Sequence, residues 1–178
     1  MVEVWQRFAN VDLGKYLTRE TMFSLCVEKG YQPKDDETYE ELFYRIFLNE
    51  IESKLGTEAP LIVYEYPAVM ASLSRLSQRD PRFAERFEIY VNGQELGNAF
   101  SELTDADEQL ARLEQERAER AKTGKLVYDV DPEFIAALRQ GLKPCAGIAF
   151  GVDRLIMQIT GCQNIDDVLI LPMSTLLV

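Results

Sequence analysis

Two stretches of this chain gather residue types suited to holding a polyphosphate and a cationic substrate. Residues 95–103, Glu95-Leu96-Gly97-Asn98-Ala99-Phe100-Ser101-Glu102-Leu103, supply two carboxylates, an amide and an aromatic ring. Residues 147–155, Gly147-Ile148-Ala149-Phe150-Gly151-Val152-Asp153-Arg154-Leu155, supply two glycines and an arginine. In the second stretch, small and apolar residues over 146–150 predict a buried strand, and Gly151 permits a close turn. The spacing of Leu155, Ile156 and Ile159 then predicts a helix over 153–160. Arg154 falls in its first turn, where free N–H groups and the positive end of the helix dipole favour anions and a guanidinium can grip phosphate oxygens. Taken alone, the same residues also describe Asp153 capping a helix and Arg154 in a surface ion pair.

The first stretch belongs to a hairpin. Residues 83–91, the dipeptide Asn92-Gly93 and residues 94–100 form a strong hairpin signal, because Asn-Gly suits the type I′ turn that matches strand twist. With a two-residue loop, Val91 pairs with Gln94, Tyr90 with Glu95 and Glu88 with Gly97. Glu88 and Glu95 then lie diagonally on one face, roughly 7–8 Å apart at the backbone. Two carboxylates that close repel unless a cation sits between them, and a hard divalent ion such as Mg²⁺, carrying ATP phosphates, suits them. A solvated acidic hairpin is the alternative. Strict alternation sends Asn98, Phe100 and Glu102 to the opposite face, so all five share a pocket only if the strand slips by one residue, for which Gly97 is the natural place. With the slip, the pocket gains an amide for a polar backbone, an aromatic wall and a carboxylate for an ammonium: a site for an amino acid with a basic tail.

These segments resemble the C-terminal part of the catalytic domain of class II aminoacyl-tRNA synthetases of the lysyl type, with Gly151-Val152-Asp153-Arg154-Leu155 as motif 3. The likeness is closer to the paralogous ligases that attach β-lysine to elongation factor P. It is carried over about residues 61–172 by Tyr66-Pro67-Ala68, Ala71-Ser72-Leu73, Ala84-Glu85-Arg86-Phe87-Glu88, Glu102-Leu103-Thr104-Asp105-Ala106 and motif 3. The resemblance implies that Glu88 and Glu95 hold Mg²⁺ and ATP, that Asn98 and Glu102 bind the lysine or β-lysine substrate, and that Phe100 walls its pocket. It implies that Arg154 contacts the ATP phosphates as the catalytic arginine, with Gly151 beside it. Ala149 stands where lysyl-tRNA synthetases tend to have glycine and the ligases have alanine, and one methyl can reshape which isomer fits.

Motif 1 and motif 2 are not visible, and by the resemblance both would lie before Met1. Arg86-Phe87-Glu88 echoes motif 2 but stands directly before the hairpin turn, which assigns it to the metal-binding strand. The chain is therefore expected to be a fragment, the C-terminal part of the catalytic domain, with 1–60 a mainly helical segment after motif 2 and 61–178 a sheet with motif 3. The implied chemistry is activation of lysine or β-lysine as an adenylate and transfer to elongation factor P. A fragment of a lysyl-tRNA synthetase acting on tRNA, and a non-catalytic paralogue binding an amino acid or a protein, are the alternatives. A homodimer is left open for the full-length enzyme.

Composition agrees. The 178 residues, 47% hydrophobic, suit one domain, and there is no histidine, which excludes a serine-histidine triad and histidine-bound metal. The net charge of −11 disfavours broad nucleic-acid binding and tilts the acceptor towards protein. No membrane-spanning run or signal peptide is visible, and Cys26, Cys145 and Cys162 form no close pair, so a cytoplasmic protein with reduced thiols is expected.

The elements that must position these residues read as α+β: an antiparallel sheet flanked by helices. Helices are expected over 18–28, from Asp35 or Asp36 to Leu55, from Thr104 with Asp107 to about Lys122, and from Asp131-Pro132 to Gly141. The second carries an apolar stripe of Tyr39, Leu42, Phe43, Ile46, Phe47 and Ile51; the third reads as a solvated face. Residues 61–66 read as a buried strand and 169–171 as a last strand.

Overall fold

The computed structural model describes residues 1–176. Four antiparallel strands lie side by side in chain order: β1 (Leu61–Pro67), β2 (Phe83–Val91), β3 (Gln94–Ser101) and β4 (Ala146–Phe150). Asn92 and Gly93, at φ 50° and 73°, close the β2–β3 hairpin with both turn residues left-handed, as a type I′ turn requires. Val91 pairs with Gln94 and Tyr90 with Glu95, as expected. The register then slips, so that Ile89 pairs with Gly97 and Glu88 with Asn98 rather than with Gly97.

The expected bulge is thus present, but its unpaired residue is Leu96. Gly97 serves another purpose: a Cβ there would meet Phe150 Cδ2 at 2.9 Å and Ile148 Cδ1 at 3.2 Å, so glycine lets β4 close on β3. A second irregularity, in β1, falls at Glu65, whose φ is 61° and which separates the Tyr64–Phe87 and Tyr66–Ala84 pairs.

One end of the sheet is covered by helices α1 (Val2–Ala9), α2 (Arg19–Glu28) and α3 (Tyr39–Ile46). Thr18 and Thr38 start α2 and α3 with reciprocal capping boxes. In α3 the Thr38–Glu41 exchange satisfies the first turn, so the helix starts there and not at Asp35 or Asp36. Nor does one α-helix run to Leu55: after Ile46 the chain widens into a π turn over Phe47–Ile51 and then tightens into a 3₁₀ turn over Glu52–Lys54. Phe47, Ile51 and Leu55 are all fully buried along this path. Aromatic rings link the helices to the sheet: Trp5 to Phe43 at 4.9 Å, Phe43 to Phe47 at 5.5 Å, and Phe47 to Tyr90 at 6.3 Å.

Beyond β3 come α4 (Ala106–Lys122), α5 (Pro132–Arg139), β4, α6 (Val152–Thr160) and α7 (Met173–Leu176). Asp105, not Thr104, caps α4, accepting from the amides of Asp107 and Glu108. The helix is laced by pairs such as Arg117–Glu114 and Arg120–Glu116 on its solvated face. Arg112 anchors it, donating to the carbonyls of Ser72 and Ser74.

Three strand expectations are corrected. β4 is not buried, since among the described residues it pairs only with β3 and leaves Ile148 51% and Phe150 40% exposed. β1 is buried only in part, with Ile62 and Tyr64 outward. Residues 169–171 form no strand and leave Ile170 and Leu171 exposed. No helix among the described residues is long and apolar enough to cross a membrane, and Cys26, Cys145 and Cys162 are free thiols.

The hairpin turn is clamped from outside. Asn92 N donates to Gly56 O and Gly93 N to Leu55 O, and Gly56 sits at φ 68° with room for no Cβ, which would meet Tyr90 O at 2.4 Å. Gly56→Ala is expected to cost more than about 2 kcal/mol, from left-handed strain plus a backbone collision. Gly30→Ala, at φ 84° in open space, is expected to cost about 1 kcal/mol. Urea unfolding of the two variants checks the contrast.

Candidate functional site

Glu88 is 3% exposed and Arg86 8%. A carboxylate and a guanidinium so deep are tolerable only if donors and acceptors surround them. Glu88 Oε2 accepts from the hydroxyls of Tyr66 and, at 2.6 Å, Tyr90, while Oε1 accepts from Arg86 Nη2 at 2.7 Å. Burial and the Glu88 charge push both tyrosines far above their ordinary pKa, so both remain donors. Arg86 also donates to Met70 O at 3.0 Å and to Asn98 Oδ1 at 3.3 Å, and its guanidinium lies over the Tyr66 ring, 4.4 Å from the centroid.

The slip at Leu96 decides what joins this group. Directly paired residues of antiparallel strands share a face. Tyr90 with Glu95, Glu88 with Asn98, and Arg86 with Phe100 therefore lie on one face, and alternation adds Glu102. In β4, Ala149 pairs with Asn98 and Gly147 with Phe100, so the Ala149 methyl stands beside the Asn98 amide. Glu102 Oε1 lies where a Cβ on Gly147 would be, 2.6 Å from it. Gly147 is thus a part of the site that motif reading missed, since its missing side chain is the space the carboxylate fills. Glu102 has no ion-pair partner among the described residues.

The carbonyls on either side of the slip hold the start of α6. Gly151 N donates to Leu96 O at 2.7 Å and Arg154 Nη1 to Glu95 O at 2.8 Å. The Arg154 stem passes over Gly151, 3.3–3.5 Å from where a Cβ would stand. Gly151 itself is the N-cap, with no side-chain cap bond, and Arg154 is exposed and in no ion pair among the described residues, so the capping-plus-ion-pair alternative does not hold. All the expected residues, Glu88, Glu95, Asn98, Phe100, Glu102, Ala149, Gly151 and Arg154, therefore gather along β2, β3 and β4 beside the start of α6.

Two further residues meet them from the helical layer. Burial first, then the Glu88 charge, raises the pKa of Glu52, while Arg154 lowers it. Tyr44 of α3 is raised by burial and lies within reach of the Arg86 and Glu88 charges. Neither had a sequence signal: Glu52 follows a π turn that helical periodicity does not anticipate. Glu95 is raised by burial and by Glu88, with Arg154, then Arg86, pulling the other way. Its carboxylate has no hydrogen-bond partner among the described residues.

No group of three or more His, Cys, Asp or Glu among the described residues is arranged to hold a metal ion. A cation that brings phosphate oxygens with it needs only one or two carboxylates. Glu95, with free oxygens beside Glu88, fits that smaller demand. A cavity of about 780 Å³ between α3 and the end of α4, lined by Thr38, Tyr44, Arg45 and Lys122 among others, includes none of the expected residues.

Comparison with known proteins places the chain in a family. The family model for class II tRNA synthetases (D, K and N) matches residues 6–175. Curated relatives named elongation factor P (R)-beta-lysine ligase include that of Vibrio vulnificus (strain YJ016), 43% identical over 141 residues, covering 79% of this chain and 43% of the relative. That of Avibacterium paragallinarum is 41% identical over 144 residues, covering 81% and 44%. That of Yersinia pestis (strain Pestoides F) is 44% identical over 139 residues, covering 78% and 43%. The chain thus spans less than half the length of these relatives.

Two outcomes follow from the geometry. Glu88→Ala leaves Arg86 buried without its carboxylate and is expected to cost about 3–5 kcal/mol in urea unfolding. The folded state holds the Glu95 proton more tightly than the unfolded chain does. The stability linked to Glu95 is therefore complete below the ordinary glutamate pKa and is lost as pH rises through the higher folded value. Glu95→Gln is expected to remove that fall, seen as a urea midpoint less dependent on pH between mildly acidic and neutral solution.

Proposed function

Because the chain belongs to the class II tRNA synthetase family (D, K and N), we propose that it is the C-terminal part of a catalytic domain that activates lysine or β-lysine with ATP and passes the acyl group to elongation factor P. One observation carries this reading: the slip at Leu96 puts Glu88, Glu95, Asn98, Phe100 and Glu102 on one face. The names of the relatives support the acceptor and the β-lysine substrate, and the net charge of −11 gives a tRNA acceptor less support.

In this reading the substrate lies along β3. Glu102 takes its ammonium, Phe100 packs against its methylenes, and Asn98 holds its polar end beside Glu95 and Arg154. The substrate carboxylate attacks the α-phosphorus of ATP, the bond to the β-phosphate oxygen breaks, and pyrophosphate leaves. A carboxylate is already ionised at neutral pH, so no general base is needed, and positioning with charge neutralisation supplies the acceleration. Arg154, freed from Glu95 O or bridging from it, withdraws negative charge from the phosphates. Glu95, with Glu88 behind it, would hold Mg²⁺, which neutralises phosphate charge when bound. An amine of elongation factor P then displaces AMP from the acyl group. The cytoplasm, where ATP and the translation factor are found, is the compartment this chemistry needs.

The test is lysine-dependent or β-lysine-dependent exchange of pyrophosphate into ATP, by the polypeptide in which this domain accompanies motifs 1 and 2. Glu102→Ala is expected to lower kcat/KM by roughly a hundredfold or more, because the ammonium loses the carboxylate assigned to it, while Glu88 and Glu95 lie further back along the same face. Exchange at the wild-type rate would remove Glu102 from the pocket.

A further inference from the structure

Arg86 touches three of the residues assigned above to substrate and metal, yet no sequence motif gave it a role. Its guanidinium donates through Nη2 to Glu88, through Nη1 to Met70 O and through Nε to Asn98 Oδ1, and its Cζ lies 5.7 Å from the Phe100 ring centroid. A guanidinium has only donors. The atom that Asn98 turns towards Arg86 must therefore be its carbonyl oxygen, and its NH₂ group faces away. Asn98 is only partly covered, and its NH₂ group has no partner among the described residues.

We infer that Arg86 is a positioning residue of this site, locking the Asn98 amide so that its two N–H donors face the open side of the sheet, towards an acceptor oxygen of the bound substrate. The inference deepens the function proposed above and rests on it for the identity of the ligand. The polarity along β3 is consistent. Asn98 and Glu102 lie four residues apart on one face, about 13 Å at the strand rise, with Phe100 between them. The donor end adjoins Glu95 and Arg154, and the acceptor end is the Glu102 carboxylate. A substrate with an oxyanion at one end and an ammonium at the other fits in one direction only, with its oxyanion beside the phosphate-binding groups. The fork matters as much as the charge, because one ammonium cannot reach Glu88, Met70 O and Asn98 in their present directions.

Arg86→Lys is the decisive variant, with lysine and cadaverine as probes: both carry the terminal ammonium, and only lysine has a carboxylate. Calorimetric titration of the intact protein is expected to show Arg86→Lys weakening lysine about tenfold or more while changing cadaverine less than about twofold. A purely structural role would weaken both alike, and equal losses, or none, overturn the inference. Because Arg86 is buried, a second measurement stands apart from ligand binding and from the variant's folding. In the wild-type protein, NMR of the Asn98 side-chain NH₂ protons is expected to show exchange with water and no nuclear Overhauser contact to Arg86 Hε. Such a contact would mean the amide is reversed and would overturn the inference. If the wild-type protein binds neither probe, the proposed function fails, and the Asn98 contact alone then decides the role of Arg86.

Discussion

The buried Glu88 carboxylate is the group on which the rest of the site depends. Two tyrosine hydroxyls and a guanidinium close around it, from β1 and from β2 itself. Each donor is held by something else. Tyr90 ends the aromatic series that begins at Trp5, Tyr66 packs under Arg86, and Arg86 is pinned to Met70 O. A defect in the helical core is thereby felt at a charge. Losing one partner of a buried pair costs several kcal/mol, a large share of the 5–15 kcal/mol that folds a typical domain. The site and the stability of this protein are hard to alter separately.

Irregular backbone does as much as any side chain. Without the break at Glu65, Tyr66 would point away from Glu88; without the slip at Leu96, Asn98, Phe100 and Glu102 would lie on the far side of the sheet. The same slip has a second use, since the carbonyls beside it receive Gly151 and Arg154. One local departure from pairing thus sets the facing of β3 and docks the arginine-bearing helix.

Much of this was legible in the residues. Asn92-Gly93 announced the turn and its first two pairs, and a pocket shared by the five polar and aromatic positions required a slip somewhere in β3. Its place was missed by one residue because glycine at 97 suggests backbone freedom, whereas it is there to admit Phe150 and Ile148. The start of α3 was read from Asp35 and Asp36, but the reciprocal bonds of Thr38 and Glu41 outweigh a single cap. The apolar residues of β4 suggested burial and those of 169–171 a strand, and composition distinguishes neither from an uncovered, irregular surface. Glu52 and Tyr44 stayed hidden because their importance comes from the packing of α3 and the turns after it against the sheet, and the role of Arg86 comes from partners on three strands and at Met70, relations that no local pattern encodes.

The slip at Leu96 also bears on how this hairpin tolerates changes in length. Deleting Leu96 would leave Glu95, Asn98 and Phe100 facing as before, because the surplus residue is the one removed, but it would take away the carbonyl that receives Gly151. Inserting or deleting one residue between Gly97 and Glu102 would instead invert every side chain beyond the change. Along this arm, chain length is neutral for side-chain facing at a single position, and there it governs the seating of α6.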